Sequence, residues 1–304
     1  MMDIVSSFVN LIPVTLAQSL LYGFVALGIM IPFRLLNFPD LTCEGAFPLG
    51  GCLCAALLVA GISPVLSMLI AVGAGVLSGC ATAFIHLRFK INTLLAGILM
   101  ITILWSVNLR IMGKSNIPLF SAPSFFDSIY SGFTMNIPVQ IGFWLLVAVA
   151  LVLLLRWFLR TDLGLAVRAT GANETMARAQ GISTWAITIA GVGAANGLTA
   201  FAGASVAQVQ GYADVQMGFG ILINALAALI IGEAIVGRTT IFRQLVAPFV
   251  GSIVYYQVIS AGLALGVHPS DLKLVTGLFV LIMLALPKRK IDGAALPEKA
   301  VNAA

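Results

Sequence analysis

The chain has 304 residues, of which 60% are hydrophobic and only 9% are charged. Soluble domains carry about a quarter charged residues, so this composition excludes an ordinary soluble protein. The formal net charge of +5 does not indicate nucleic-acid binding, because the basic residues lie in short loops between apolar runs. Apolar runs of about 20 residues match the length of a helix that crosses a bilayer, so we expect an all-α polytopic membrane protein.

Nine apolar segments are predicted to span the membrane, and a short tenth element fits around 33–45 or 113–136. The predicted spans are 11–31, 42–60, 64–85, 92–112, 137–157, 184–208, 219–236, 244–266 and 271–287. We interpret residues 1–290 as one transmembrane domain. The small and polar segment 291–304 is predicted to be a disordered cytoplasmic tail.

The distribution of lysine and arginine predicts the orientation of these spans. If the loop after the fifth span is cytoplasmic, alternation places 13 of the 16 basic residues inside, as the positive-inside rule expects. The three outside are Arg110, Lys114 and Lys273. The N-terminus is then external, the C-terminus is internal, and the expected location is the bacterial inner membrane.

Two pairs of short segments suggest an inverted repeat. Residues 39–42 resemble 213–216, and residues 91–97 resemble 271–277. Five spans would separate the copies, which gives them opposite orientations. Matches this short can also arise by chance. Two GxxxG spacings, 75–79 and 193–197, predict close helix packing within one subunit.

The longest polar stretch on the inner side is the loop 156–183. Its middle, 173–180, contains good helix formers, Asn173 suits the N-cap and Gly181 suits the C-terminal stop. These features predict a short helix outside the membrane. It is either a docking element for another protein or a solvated connector.

The segment 164–182 resembles the coupling segment of ABC importer permeases of the branched-chain amino acid and ribose type. That family typically has Arg-Ala-x-Gly-x-Asn-x-x-Ala-Arg-x-x-Gly-Ile, and 168–182 follows this pattern. Residues 34–46 and 217–232 are similar to two further family segments, so the resemblance covers about 15–287.

The resemblance implies that segment 160–183 docks in a cleft of a separate ATP-binding subunit, which holds the ATP and Mg²⁺. This chain itself is expected to bind no cofactor. The residues carried over to coupling are Arg168, Gly171, Asn173, Glu174, Ala177, Arg178 and Gly181. Further expected partners are an extracytoplasmic solute-binding protein, a second permease copy of the same or a similar chain, and membrane lipid.

The resemblance also implies import of a small solute, an amino acid or a similar small polar molecule. The segment 39–44 departs from the His-Gly or Gln-Gly of many relatives. The solute specificity of the better-known members is therefore not carried over. Some relatives with this kind of segment are linked to aromatic amino acids.

The stretch 37–51 predicts a broken second span, because Pro39, Gly45, Pro48, Gly50 and Gly51 interrupt its helical pattern. Charges in hydrocarbon usually face the protein interior or a water cavity.

We interpret Asn37 and Glu44 as lining or gating the solute path. An interfacial turn, whose acidic side chains reach water, is the alternative for both Asp40 and Glu44.

Other polar residues have weaker indications. Gln210 and Asp214 are candidates for an outer gate or for contact with a solute-binding protein, and a solvated loop is the alternative. Asn196 and Asn224 are candidates for the pathway. Together with Gln18 and Asn108 they could instead form hydrogen bonds between helices.

No catalytic or metal-binding motif is present in the sequence, and Gly113-Lys114-Ser115 lacks the earlier glycine of a P-loop. Two alternatives to an ABC permease stay open. One is a proton-coupled secondary transporter that uses Glu44 or Asp214, and the other is a passive channel.

We predict that bulky substitutions of Gly171 or Gly181 uncouple transport and leave membrane insertion intact. The measurement is solute uptake alongside the amount of protein in the membrane. Normal uptake would contradict a coupling role.

Overall fold

The computed structural model describes residues 2–120, 125, 137–268, 271, 274, 276–279, 281 and 282. The elements in the first half are α1 (Met2–Met30), a π-helical turn (Ile31–Leu35), α2 (Cys43–Val59), α3 (Pro64–Phe89), α4 (Thr93–Met112) and β1 (Asn116–Pro118). The second half contains α5 (Ile137–Phe158), α6 (Asp162–Ala172), α7 (Glu174–Ala179), α8 (Thr184–Gln210), β2 (Tyr212–Asp214), a 3₁₀ turn (Val215–Gly218), α9 (Ile221–Val236) and α10 (Ile241–Ala264).

Within this described part, seven helices are long and apolar enough to cross a membrane, and the 17-residue α2 is a shorter apolar helix. Their positions confirm the first eight predicted spans. The ninth span, 271–287, and the tail 291–304 lie mostly or wholly outside the described residues. The chain is therefore a multi-pass α-helical membrane protein.

The helices alternate in direction, and this alternation fixes two ends of the bundle. β1 and β2 pair antiparallel at one end, with Asn116 opposite Asp214. The π-helical turn, α6 and α7 lie at the other end, because α6 packs against both that turn and α8. This second end carries Arg34, Arg178 and Arg238, as predicted for the cytoplasmic side.

Of the five residues predicted to break the second span, only Pro39 lies at the break. The connector 36–42 is non-helical, but Cys43–Val59 is one continuous helix through Gly45, Pro48 and the pair at 50–51. The prediction that these residues interrupt the helix is wrong. A proline removes one N–H, and membrane helices tolerate this because neighbouring helices and local backbone adjustments satisfy the freed carbonyl.

Glycines in α2 and α8 bring the two helices into backbone contact. A methyl group at Gly203 of α8 would overlap the carbonyl oxygen of Phe47, and one at Gly50 would overlap the carbonyl of Ala200. Small residues allow this approach, and close packing is what stabilises helix pairs in lipid. The predicted GxxxG glycines behave similarly, since Gly79 of α3 lies against the carbonyl of Val192 in α8.

The first of the two suggested repeat pairs has matching local geometry. The Asp40 carboxylate accepts a hydrogen bond from the Thr42 N–H at 2.9 Å, and the Asp214 carboxylate accepts one from the Gln216 N–H at 2.6 Å. Each turn follows a long helix and precedes a shorter one, α2 or α9, and the two copies run in opposite directions. In the second pair, 271–277 lies mostly outside the described residues.

We expect Gly203→Ala to destabilise the protein by about 1–3 kcal/mol, because α2 and α8 must separate to admit the methyl group. The measurement is thermal unfolding of the purified chain in detergent. Gly73→Ala is the matched control, since nothing lies within 4 Å of a methyl group at that helical glycine. Equal stability of the two variants would contradict backbone contact between α2 and α8.

Candidate translocation site and coupling surface

Asp40 lies at the break between α1 and α2 and is 2% exposed. Its carboxylate accepts hydrogen bonds from the Thr42 N–H and from Nδ2 of Asn196 at 2.7 Å. Asn196 is roughly 18 Å along α8 from its start at Thr184, so this contact lies near the middle of the helix.

Asp40 therefore supplies a hydrogen-bond acceptor to the non-helical backbone that lies deep in the protein. The Thr42 hydroxyl extends it to the Thr82 hydroxyl of α3 at 2.8 Å. Asn196, a predicted pathway residue, also donates from Nδ2 to the Val192 carbonyl. The structure thus brings Asn196 into contact with Asp40. The sequence had left the role of Asp40 open between lining the solute path and lying in an interfacial turn.

Glu44 lies two residues beyond Thr42, in the first turn of α2, and lines a separate small cavity. We name it the Glu44 cavity; its volume is about 50 Å³ and it is lined by Glu44, Gly45, Pro48, Ile101, Trp105, Asn108, Val215, Gly218 and Phe219. The Glu44 carboxylate faces the backbone N–H groups of Gly220 and Leu222, at the start of α9. Negative charge is favourable at this end of a helix.

The other two predicted pathway residues lie elsewhere. Asn37 is exposed in a left-handed conformation with φ of 50° and does not line the Glu44 cavity. Asn224 accepts a hydrogen bond from the Tyr255 hydroxyl at 2.9 Å, among residues of α1, α9 and α10. The four residues predicted to line one path therefore do not form a single cluster.

The two outer-face candidates lie at the end of the bundle that carries the β1–β2 pair. Asp214 caps the turn that follows β2, and Asn116 of β1 donates to it at 3.3 Å. Gln210 ends α8 and forms a hydrogen bond with the Tyr22 side chain of α1. Their roles toward a solute-binding protein stay predictions.

The predicted short helix on the inner side is confirmed as α7. Asn173 caps it by accepting a hydrogen bond from the Met176 N–H at 3.0 Å, and Gly181 follows with φ of +82°. A second helix, α6, precedes it and was not predicted. Thr161 caps α6 at its start.

Glu174 and Arg178 make contacts within the chain that hold α7 on α8. They form an ion pair, and both hydrogen bond to the Thr184 hydroxyl, at 3.2 Å and 2.8 Å. The Met176 side chain, between them in sequence, is 63% exposed, and Arg168 is also exposed.

Two of the residues carried over to coupling face inward. Ala177 is 2% exposed, and a methyl group at Gly171 would overlap the carbonyl oxygen of Leu35. Bulky residues at Gly171 would therefore displace α6 from the π-helical turn, and at Gly181 they would strain a left-handed backbone. The predicted loss of coupling in these variants would have a packing cause as well.

An ion cluster at the inner end was missed by the sequence analysis. Arg34 of the π-helical turn donates to both carboxylate oxygens of Glu233 in α9, at 2.9 Å and 2.7 Å. Arg238 approaches the same carboxylate at 2.7 Å. The Glu233 side chain is only 3% exposed. A single acid within an apolar helix was the available signal.

Comparisons with known proteins agree with this architecture. The family model described as branched-chain amino acid transport system / permease component matches residues 12–286. A tyrosine transport system permease protein of Clostridioides difficile (strain R20291) is 38% identical over 270 residues, covering 89% of each chain. An uncharacterized protein of Rickettsia prowazekii (strain Madrid E) is 32% identical over 285 residues, covering 92% of this chain and 99% of its own length. No solved structure matches.

We expect Asp40→Ala to destabilise the chain by about 1–3 kcal/mol, because the Thr42 N–H and Asn196 amide lose a buried acceptor. Asp214→Ala removes the corresponding turn cap in the second repeat copy, where water can replace it, and should cost clearly less. Thermal unfolding of both variants in detergent measures the difference. Equal losses of stability in the two variants would show that the burial of Asp40 does not increase its contribution to stability.

Proposed function

The chain belongs to the permease family of branched-chain amino acid transport systems, and from that premise we propose that it is the transmembrane subunit of an ATP-driven amino acid importer. In this proposal ATP is hydrolysed by separate ATP-binding-cassette subunits on the cytoplasmic side. A solute-binding protein delivers the amino acid on the outer side.

The observation that carries the proposal is the position of α6 and α7. They form an exposed platform at the inner end, with Met176 at its surface and the Glu174–Arg178–Thr184 contacts joining it to α8. An exposed projection of this kind suits docking into a groove of another protein. The same platform touches the backbone of Leu35 through Gly171, so a movement of the platform reaches the end of α1.

The ion cluster supports a mechanism of alternating access. Arg34 and Glu233 connect the π-helical turn to α9 at the inner end. A bound ATPase that favours one position of α6 would shift the population of arrangements at this end, provided it binds the two states with different affinity. The cluster then stabilises the state in which α1 and α9 are together.

We propose an amino acid as the solute, with aromatic amino acids as the first candidates. This rests on the family and on the similarity to the tyrosine transport system permease protein of Clostridioides difficile. A second permease copy is expected against one of the apolar helix faces that this chain exposes, such as those of α4 and α5.

Among the described residues, nothing favours the stand-alone proton-coupled transporter over this proposal. Asp214, one of its two candidate carboxylates, caps a turn at the outer end. Glu44, the other, lies in the first turn of α2 and faces the backbone N–H groups of Gly220 and Leu222.

We expect Met176→Asp to abolish most ATP-driven uptake without affecting the fold, because the new charge would be buried in an apolar docking contact with the ATPase. The measurements are amino acid uptake into membrane vesicles and recovery of the ATPase subunit with the purified permease. Leu265→Asp is the matched control, an exposed apolar residue near the outer end. Normal uptake and normal ATPase recovery in Met176→Asp would contradict docking at α7.

A further inference from the structure

The Glu44 cavity contains a buried hydrogen-bond acceptor that has no partner. Asn108 of α4 is 1% exposed, and its Oδ1 has no hydrogen-bond partner among the described residues. Its Nδ2 donates to the Gly45 carbonyl at 3.4 Å, which holds the amide in place. A buried acceptor without a partner costs about 1–3 kcal/mol, so its presence beside a cavity points to a bound group that donates.

Glu44 supplies a second acceptor to the same cavity. Its carboxylate faces the N–H groups of Gly220 and Leu222, but a carboxylate has about four lone-pair sites. Two backbone donors therefore leave it able to accept from a ligand. The N–H groups at the start of α9 favour the charged form of this carboxylate.

These two acceptors select the chemistry of the ligand. An anion would be repelled by Glu44, and a metal ion would need more ligands. The described residues contain no group of three or more His, Cys, Asp or Glu side chains that could hold a metal. An ammonium group fits, because it carries a positive charge and three N–H donors. The ring of Trp105, on the same cavity, can add a cation–π contact.

The size of the cavity agrees with this assignment. A volume of about 50 Å³ exceeds what one water-sized group needs, which is about 10–15 Å³, but is too small for a whole amino acid. The ammonium group would enter the cavity while the rest of the solute lies outside it. Trp105 and Phe219, which are 45% and 79% exposed, line the cavity and extend to the surface.

We propose that the Glu44 cavity binds the ammonium group of the transported amino acid, with Glu44 and Asn108 as its acceptors. This rests on the proposed function for the identity of the solute. It assigns a recognition role to Asn108, which the sequence analysis did not place in the pathway, and it separates Glu44 from Asp40, whose described contacts are all internal.

The test is equilibrium binding of radiolabelled tyramine to the purified full-length chain in lipid nanodiscs. Tyramine has the ammonium group and an aromatic ring but no carboxylate. Unlabelled 3-(4-hydroxyphenyl)propionate has the ring and a carboxylate but no ammonium group, and it should not compete. Glu44→Gln and Asn108→Leu should each weaken tyramine binding about tenfold or more, because charge-assisted and buried hydrogen bonds are lost.

A thermal-shift measurement and one control variant separate recognition from folding. Tyramine should raise the unfolding temperature of the wild type but not that of Asn108→Leu, whereas a purely structural Asn108 would leave that rise intact. Asp162→Asn is the control, since it removes an exposed carboxylate in the first turn of α6, outside the cavity, and should leave binding unchanged.

The outcomes are distinguishable from those that test ATP-driven import. Absence of tyramine binding, competition by the propionate, or unchanged binding in Glu44→Gln overturns the ammonium site, even if uptake of L-tyrosine by the assembled transporter is normal. Tyramine binding with the expected variant pattern supports the site even if ATP does not drive uptake, a result that would instead overturn the proposed function.

Discussion

The structure depends on how the hydrogen-bonding groups of two non-helical stretches of backbone find partners inside a membrane-spanning bundle. In hydrocarbon every N–H and C=O must find a partner within the protein, so non-helical backbone persists only where protein groups or water supply one. Here two carboxylates of the second span supply partners. Asp40 accepts from the Thr42 N–H just before α2, and Glu44 faces the N–H groups at the start of α9. Both short helices can therefore begin inside the bundle.

The two carboxylates differ in what remains available to a ligand. Asp40 is enclosed by Thr42 and Asn196 and lines none of the cavities described above. Glu44 lies two residues past Thr42, on a face that opens to α4. A single turn of helix thus separates an acid that holds the fold together from one that can meet a solute. Charge alone does not distinguish them, since both lie at or near the break.

The sequence predicted the spans well and their contacts poorly, for a physical reason. Hydrophobic runs and basic loops determine which segments cross the membrane, so eight spans could be predicted. The cap at Asn173 could be predicted because it depends only on the local sequence. The glycine and proline residues in 45–51 are compatible both with a break in the helix and with close contact between the helix and a neighbour. The sequence alone does not distinguish these two structures. Gly171 and Ala177 raise the same difficulty, because small residues suit both a docking face and a packed face. The missing partner of Asn108 depends on the fold of three distant segments.

The inner ion cluster and the Glu44 cavity are joined by one helix. α9 carries Glu233 near its inner end, where Arg34 holds it, and its first residues face Glu44 at the other end. A helix of this length, roughly 24 Å, moves nearly as a rigid body.

The π-helical turn that carries Arg34 also touches α6 at Leu35, where Gly171 has no side chain to absorb a displacement. A shift of α6 that moves Arg34 must either break its two hydrogen bonds to Glu233 or pull α9. In the second case the N–H groups that face Glu44 move as well, and the capacity of that carboxylate to hold a ligand changes with them. Under the proposed function, the arrangement would provide a direct mechanical route from the cytoplasmic surface to the cavity.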